Sequence, residues 1–134
     1  MPVRVLIVED SEAVRRSGLF HATRLHDFHV VGEARDGFQA INQSSALQPD
    51  VILLDVSLPN LSGIEAVPRI HQVSPESKVL MFSLHNSAMA ISAALNAGAL
   101  GYLVKSDAGR DLLAGLRATG QGEAFFSSCV AAQN

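Results

Sequence analysis

Apolar residues in this chain come in short blocks separated by polar and turn-forming stretches. Val51 to Leu54 and Val79 to Phe82 are unbroken, Val3 to Val8 is broken only by Arg4, and Leu100 to Val104 forms a further run. Runs of about 4–8 apolar residues bounded by turn signals predict strands buried on both faces. Phe28 to Ala34 is interrupted by His29, Gly32 and Glu33 and predicts a weaker strand at an edge. Between the runs the apolar spacing turns helical. Ser11 caps a first helix carrying Val14, Gly18, Ala22 and Leu25, and Asp36-Gly37 opens a second with Ala40, Ile41 and Leu47. Gly63 leads into a third with Ile64, Val67 and Ile70, in which Pro68 should cause a kink or limit the helix to early positions. Ser87 to Ala97 is an alanine-rich fourth helix closed by Gly98, and Asp107 to about Thr119 is a fifth with Leu112, Leu113 and Leu116. The order is βα repeated five times, which predicts an α/β domain with a parallel sheet covered by helices on both faces.

Residues 79 to 104 contain no Asp, Glu, Lys or Arg, but Ser83, His85, Asn86, Ser87, Ser92 and Asn96 interrupt them. A membrane span needs about 20 mostly apolar residues in a row, so this stretch reads as strand, loop, helix, turn and strand. Met89 and Ile91 lie two apart on the fourth helix and cannot share a narrow stripe facing the core. An exposed apolar patch there would suit a partner or dimer surface. The pattern fades from Gly120, so residues 1–120 are expected as the domain and 121–134 as a C-terminal tail or the start of a linker. Phe125 and Phe126 either pack back on the domain or belong to that linker.

With 134 residues, 48% of them hydrophobic and 17% charged, the composition fits one globular domain. A net charge of -3 offers no basic footprint for nucleic acid, and neither direct nucleic-acid contact nor a membrane role is expected. The single cysteine, Cys129, excludes an internal disulfide framework and agrees with a reducing compartment. The start, Met1-Pro2-Val3-Arg4, lacks a signal-peptide pattern. A cytoplasmic location is the expectation.

The chemistry lies at the strand ends. The first strand ends in Glu9-Asp10, the third in Asp55, the fourth in Ser83, and the fifth in Lys105. In a parallel sheet all carboxyl ends share one edge, so these residues converge. Three clustered carboxylates repel one another, and one must take up a proton unless a cation sits among them. A hard divalent cation, above all Mg²⁺, answers this need. Lys105 adds a point charge suited to a phosphoryl oxygen, and Ser83 a hydroxyl that can turn toward a new anion. A carboxylate nucleophile beside Mg²⁺, lysine and hydroxyl is a set for phosphoryl transfer through an aspartyl phosphate. Each residue alone has a plainer reading: Glu9-Asp10 as charge at a helix start, Asp55 as a turn residue, Lys105 as a solvated lysine, and Ser83 as a locally bonded hydroxyl. Their joint occurrence favours the chemical one.

In order and spacing, these residues resemble the receiver domain of bacterial two-component response regulators. The matching segments are Val5–Asp10, Val51–Pro59, Gly63–Ala66, Val79–Ser83 and Ala97–Lys105, within roughly residues 3 to 120. Gly32–Gly37 and the Ala97–Tyr102 stretch are most similar to the subfamily with a C-terminal LuxR-type helix-turn-helix. The resemblance implies a flavodoxin-like sheet, order 2-1-3-4-5, and a phosphorelay role in which Asp55 accepts a phosphoryl group from a sensor histidine kinase. It implies Mg²⁺ held by Asp10 and Asp55, by Glu9 through water and by the backbone carbonyl of Ser57. It further implies that Lys105 contacts the phosphoryl group, that Ser83 swings toward it and that Tyr102 changes rotamer. The surface made by the fourth helix, fifth strand and fifth helix would then switch, with possible homodimer formation, and control a transcription output domain outside this chain. Spacing alone leaves Tyr102 open between this role and that of an ordinary edge-strand aromatic.

Some positions depart from the family's usual pattern. Position 9 is Glu where Asp is frequent, position 83 is Ser where Thr is common, and Ser106 follows Lys105 where many receivers have a cis proline. A cis bond before a non-proline residue costs about 2.5–4 kcal/mol, so a trans peptide is expected there. His85, two residues beyond Ser83, is placed to influence water access and hence the lifetime of the acyl phosphate. An Asp-nucleophile phosphatase is a rival, but Ser57 stands where that class needs a second acid. A nucleotide or flavin binder would need a glycine- or hydroxyl-rich loop where Glu9-Asp10 stands. A receiver-like interaction module that works without phosphorylation remains open on the residues. Otherwise the chain is expected to act as a signalling phosphoacceptor, its only reactions being its own phosphoryl transfer and dephosphorylation.

Overall fold

Period-two alternation divides each apolar run between the two faces of a sheet. The computed structural model describes residues 2–15 and 28–131, so Gly18, Ala22 and Leu25 of the expected first helix lie outside the described residues. Strand β1 is Val3–Val8, β2 Phe28–Ala34, β3 Val51–Asp55, β4 Lys78–Ser83 and β5 Gly101–Val104. All pairings are parallel, and the order is β2-β1-β3-β4-β5. The flavodoxin-like order is therefore present, and the interrupted run β2 sits at an edge, as its pattern predicts. The helices are α1 Glu12–Arg15, α2 Gly37–Leu47, α3 Gly63–Val73, α4 Ala88–Ala97, α5 Ala108–Gly120 and α6 Ser128–Ala131.

Leu6, Ile52, Leu54 and Met81 face Ala40 of α2, Val67 and Ile70 of α3, and Ala94 of α4. Val5, Ile7, Leu53, Leu80 and Leu103 face Leu112 and Leu116 of α5. Each fully buried Leu or Ile is worth about 1.5–3 kcal/mol over exposure. A one-residue slip would turn every such side chain to the wrong face, so the two packed faces set the strand ends in register. Side-chain caps fix the helix starts: Asp36 accepts from Gln39 N–H at 2.8 Å, Ser62 from Glu65 N–H at 3.2 Å and Ser87 from Ala90 N–H at 3.2 Å. Each is worth about 1 kcal/mol. Gly98 closes α4 at φ 119°, in the left-handed region.

Pro68 does not limit α3, which runs on to Val73. Pro68 is the sixth residue of α3 and forfeits the bond its N–H would have made to the Ile64 carbonyl, but the Ser62 cap and the buried face of Ala66, Val67 and Ile70 carry the helix past it. Met89 is 83% exposed while Ile91 is half-buried against the core, which resolves their spacing of two by turning Met89 outward. The segment expected as tail or linker is exposed at 121–124 and packs on the domain beyond them. Phe126 bridges Tyr102 in parallel register, and Val130 is buried. Among the described residues no helix is long and apolar enough to cross a membrane.

Candidate functional site

Because every pairing is parallel, the carboxyl ends of β1, β3, β4 and β5 meet at one edge. Asp55 closes β3 opposite Phe82 of β4 and is buried. Its Oδ1 accepts the Ser57 N–H at 2.9 Å, which folds the following loop back over the strand end. That loop then returns so tightly that a Cβ at position 63 would lie 2.1 Å from the Asp55 carbonyl oxygen. Only glycine permits this approach. Glu9 is fastened at the end of β1 by its N–H to the Ala34 carbonyl at 3.0 Å, and its carboxylate is buried while Asp10 is exposed.

Lys105 Nζ donates to Asp55 Oδ2 at 2.9 Å and to Glu9 Oε2 at 3.2 Å. Carboxylate oxygens of Glu9, Asp10 and Asp55 lie within 4.8 Å of one another. Two of the three carboxylates, Glu9 and Asp55, share the Lys105 ammonium, and Asp10 lies beside them. Burial, followed by the hydrogen bond and charge of the neighbouring Asp55, pushes the Glu9 carboxyl up to about 7 against the opposing pull of Lys105. Burial also pulls Lys105 downward, but the bonds and charges of Asp55 and Glu9 outweigh it and leave its pKa raised. A buried carboxyl pushed further toward protonation by an adjacent acid marks a site short of positive charge. An all-oxygen donor set with that shortfall fits a hard divalent cation.

Ser83 is buried, and its Oγ accepts the His85 N–H at 3.0 Å. Tyr102 is fully buried and donates its hydroxyl to the His85 carbonyl at 2.9 Å. Burial raises the phenol pKa, which keeps it a donor. Both side chains thus grip the backbone of one residue in the β4–α4 connection. Tyr102 lies on the outermost strand, but residues 125–130 cover that edge and its ring is buried. His85 contributes its backbone here, and its side chain is exposed. The peptide after Lys105 is trans, as expected with Ser106, and Lys105–Asp107 forms a 3₁₀ turn.

The structure brings Glu9, Asp10, Asp55 and Lys105 together, with Ser57 bonded to Asp55 and Ser83 at the neighbouring strand end. Two further residues escape the sequence reading. Arg15 of α1 donates Nη1 to the Glu9 carbonyl and pairs through Nε with Glu33 at 3.3 Å, tying the loop after β1 to β2. The Phe82 ring lies 5.1 Å from Lys105 Nζ, within cation–π range. Neither stands out in sequence: Arg15 lies on a helix start, and Phe82 is part of an apolar run.

A family model described as the response regulator receiver domain matches residues 5–117. The chain belongs to the response regulator receiver family. It is 34% identical over 131 residues to the transcriptional regulatory protein YxjL of Bacillus subtilis, covering 98% of this chain and 60% of that protein. It is 34% identical over 126 residues to the response regulator protein VraR of Staphylococcus aureus, covering 94% of this chain and 60% of that protein. This receiver chain thus spans less than two thirds of the length of either relative. Among solved structures, a LuxR-family two-component response regulator from Aurantimonas sp. SI85-9A1 superposes with a TM-score of 0.90 at 30% identity. That match covers 98% of this chain and 94% of the other.

Proposed function

We propose that this receiver domain accepts a phosphoryl group on Asp55 from the phosphohistidine of a sensor histidine kinase, in the cytoplasm. The observation that carries the reading is the Asp55–Lys105 contact at 2.9 Å, with Glu9 and Asp10 on the same edge. An Asp55 carboxylate oxygen attacks phosphorus as the phosphorus–nitrogen bond to the kinase histidine breaks, and the electron pair leaves with that nitrogen. Lys105, already beside the nucleophile, follows the charge onto the transferred oxygens. Ser83 can turn its hydroxyl from His85 to a phosphoryl oxygen. Mg²⁺, when bound, neutralises charge on the transferring group; Asp10, Asp55, the Ser57 carbonyl and, through water, Glu9 are the groups that would hold it.

The aspartyl phosphate adds charge and acceptor oxygens at one end of β4 and β5, which biases the α4–β5–α5 surface through Ser83 and Tyr102. Leu84 at 75% and Met89 at 83% exposure give that neighbourhood an apolar character suited to a partner or a second copy. The likeness to a transcriptional regulatory protein and to a LuxR-family regulator supports a transcription output domain beyond this chain. Ser57 lacks the acid that a turnover phosphatase requires, so the phosphate is held and read rather than continuously released.

The test is intact mass. With Mg²⁺ and acetyl phosphate the chain should gain one phosphoryl group, and Asp55→Asn should abolish the gain. An unchanged parent mass under conditions that modify a control receiver would sink the proposal.

A further inference from the structure

β5 is the last strand of the sheet, so its outer edge should present unpaired backbone groups. The segment after α5 fills it. Tyr102 N–H donates to the Phe125 carbonyl at 2.8 Å, and Ser127 N–H donates to the Tyr102 carbonyl at 3.1 Å. The buried Ser127 Oγ accepts the Val104 N–H at 3.0 Å. Beyond it, the Ser128 N–H and hydroxyl both reach Asp111 Oδ2 at 2.8 Å, which lowers the Asp111 carboxyl pKa. Val130, 2% exposed, joins the apolar cluster of Tyr102 and Val104.

The domain is shaped to receive this segment. A Cβ at Gly101 would lie 2.4 Å from the Phe125 carbonyl oxygen, and one at Gly115 would lie 3.1 Å from the Phe125 ring. Two notches and a set of directed hydrogen bonds make a strap, not a collapsed linker.

Val104 is the residue before Lys105, so Ser127 holds the last β5 amide ahead of the lysine. On its other side Val104 pairs with Ser83 of β4. A strand end gripped from both sides loses less freedom when its lysine engages an anion than one gripped from one side. We infer that residues 125–130 form a positioning strap, with Ser127 its key residue, holding Lys105 in place for the phosphoryl group. This rests on the phosphoacceptor reading of Asp55. Linkage makes the effect reciprocal: whatever occupies the phosphoryl position must in turn steady the strap.

The full chain and Ser127→Ala are compared by three measurements: affinity for beryllofluoride in saturating Mg²⁺, affinity for Mg²⁺ alone, and hydrogen exchange at the Tyr102 and Val104 amides. Ser127→Ala should weaken beryllofluoride binding about 3–10-fold, the weight of one ordinary hydrogen bond. It should also speed exchange at Val104 while leaving Mg²⁺ affinity unchanged, since the groups that would hold the cation lie at the carboxyl ends of β1 and β3 and in the loops after them. Beryllofluoride should slow Val104 exchange in the parent. Asp111→Asn loosens the strap from its far end and should act in the same direction if Ser127→Ala does not fold. Faster exchange with unchanged beryllofluoride affinity, or an equal loss of Mg²⁺ affinity, overturns the strap. A parent chain that binds no beryllofluoride overturns the phosphoacceptor reading and this inference with it, whereas normal parent binding with unresponsive variants overturns the strap alone.

Discussion

At the amino ends of the strands, polar groups close on one another, buried at Ser74 and Ser77 and more open at Arg4, Gln48 and Asp50. Ser77 donates to the Pro49 carbonyl and lies 2.6 Å from Ser74, while Gln48 donates to the Val73 carbonyl at 2.8 Å. Arg4 donates to the carbonyls of Gln48 and Leu47, and the Arg4 N–H reaches Asp50 Oδ2 at 2.8 Å. At the carboxyl ends, the carboxylates of Glu9, Asp10 and Asp55 cluster, and Lys105 pairs with Glu9 and Asp55. One edge turns its side-chain donors, the Arg4 guanidinium among them, onto backbone carbonyls, and the Asp50 carboxylate there is met by a backbone N–H. The other leaves buried carboxylates crowded together, and burial with the adjacent Asp55 drives Glu9 to about 7. A satisfied network rigidifies, whereas an unbalanced one has affinity to spend on a cation or an incoming group. The contrast locates the chemistry without reference to any relative.

The sharpest way to break the contrast is to remove the ammonium. In Lys105→Ala the carboxylates of Glu9 and Asp55, 2% and 4% exposed, lose their shared partner. Stranding buried charge is strongly destabilising, so the metal-free chain should lose about 3 kcal/mol in urea denaturation. Mg²⁺ should restore more stability to the variant than it adds to the parent. An unchanged midpoint without metal would mean that the charged edge is already balanced.

A smaller effect follows from Glu9. Its pKa is raised in the folded chain, from the ordinary 4.5 to about 7, so the native state binds more protons than the unfolded state in between. That contribution to stability is whole below pH 4.5, declines as pH rises, and is gone above about 7. Metal-free protein in EDTA should lose on the order of 2 kcal/mol across this window. Glu9→Gln should flatten the slope, and a slope retained in that variant would assign the proton elsewhere.

Much of this edge is legible in the sequence. An apolar run ending in an acid reveals Asp55, and parallel topology then gathers Glu9, Asp10, Ser83 and Lys105 around it. The Lys105–Glu9 contact is not legible, because it depends on one extra methylene at position 9 and on a lysine rotamer. The strap is not legible either. Gly122-Glu123-Ala124-Phe125-Phe126 has neither a period of two nor of 3.6, and its partners Gly101 and Gly115 sit within a strand run and a helix without marking a notch. Arg15 reads as a helix-surface cation, although its side chain is only 5% exposed. Periodicity reports which face is buried, whereas these features depend on complementarity between distant segments.

The mildest test reverses the contrast at the closed edge. Ser77→Ala removes a hydroxyl that is 1% exposed and bonded to both Ser74 and the Pro49 carbonyl. The Pro49 carbonyl loses a donor, and Ser74 keeps its contact with Gln48 at 3.3 Å. The expected cost is about 1–2 kcal/mol in urea denaturation. Because this site lies at the opposite end of β4 from Ser83, beryllofluoride and Mg²⁺ affinities should stay at parental values. That makes Ser77→Ala the stability-matched control for Ser127→Ala. If loosening the far edge also weakened beryllofluoride binding, the loss in the strap variant would report general softening of the sheet. If only the strap variant responds, the effect belongs to the strand end that carries Lys105.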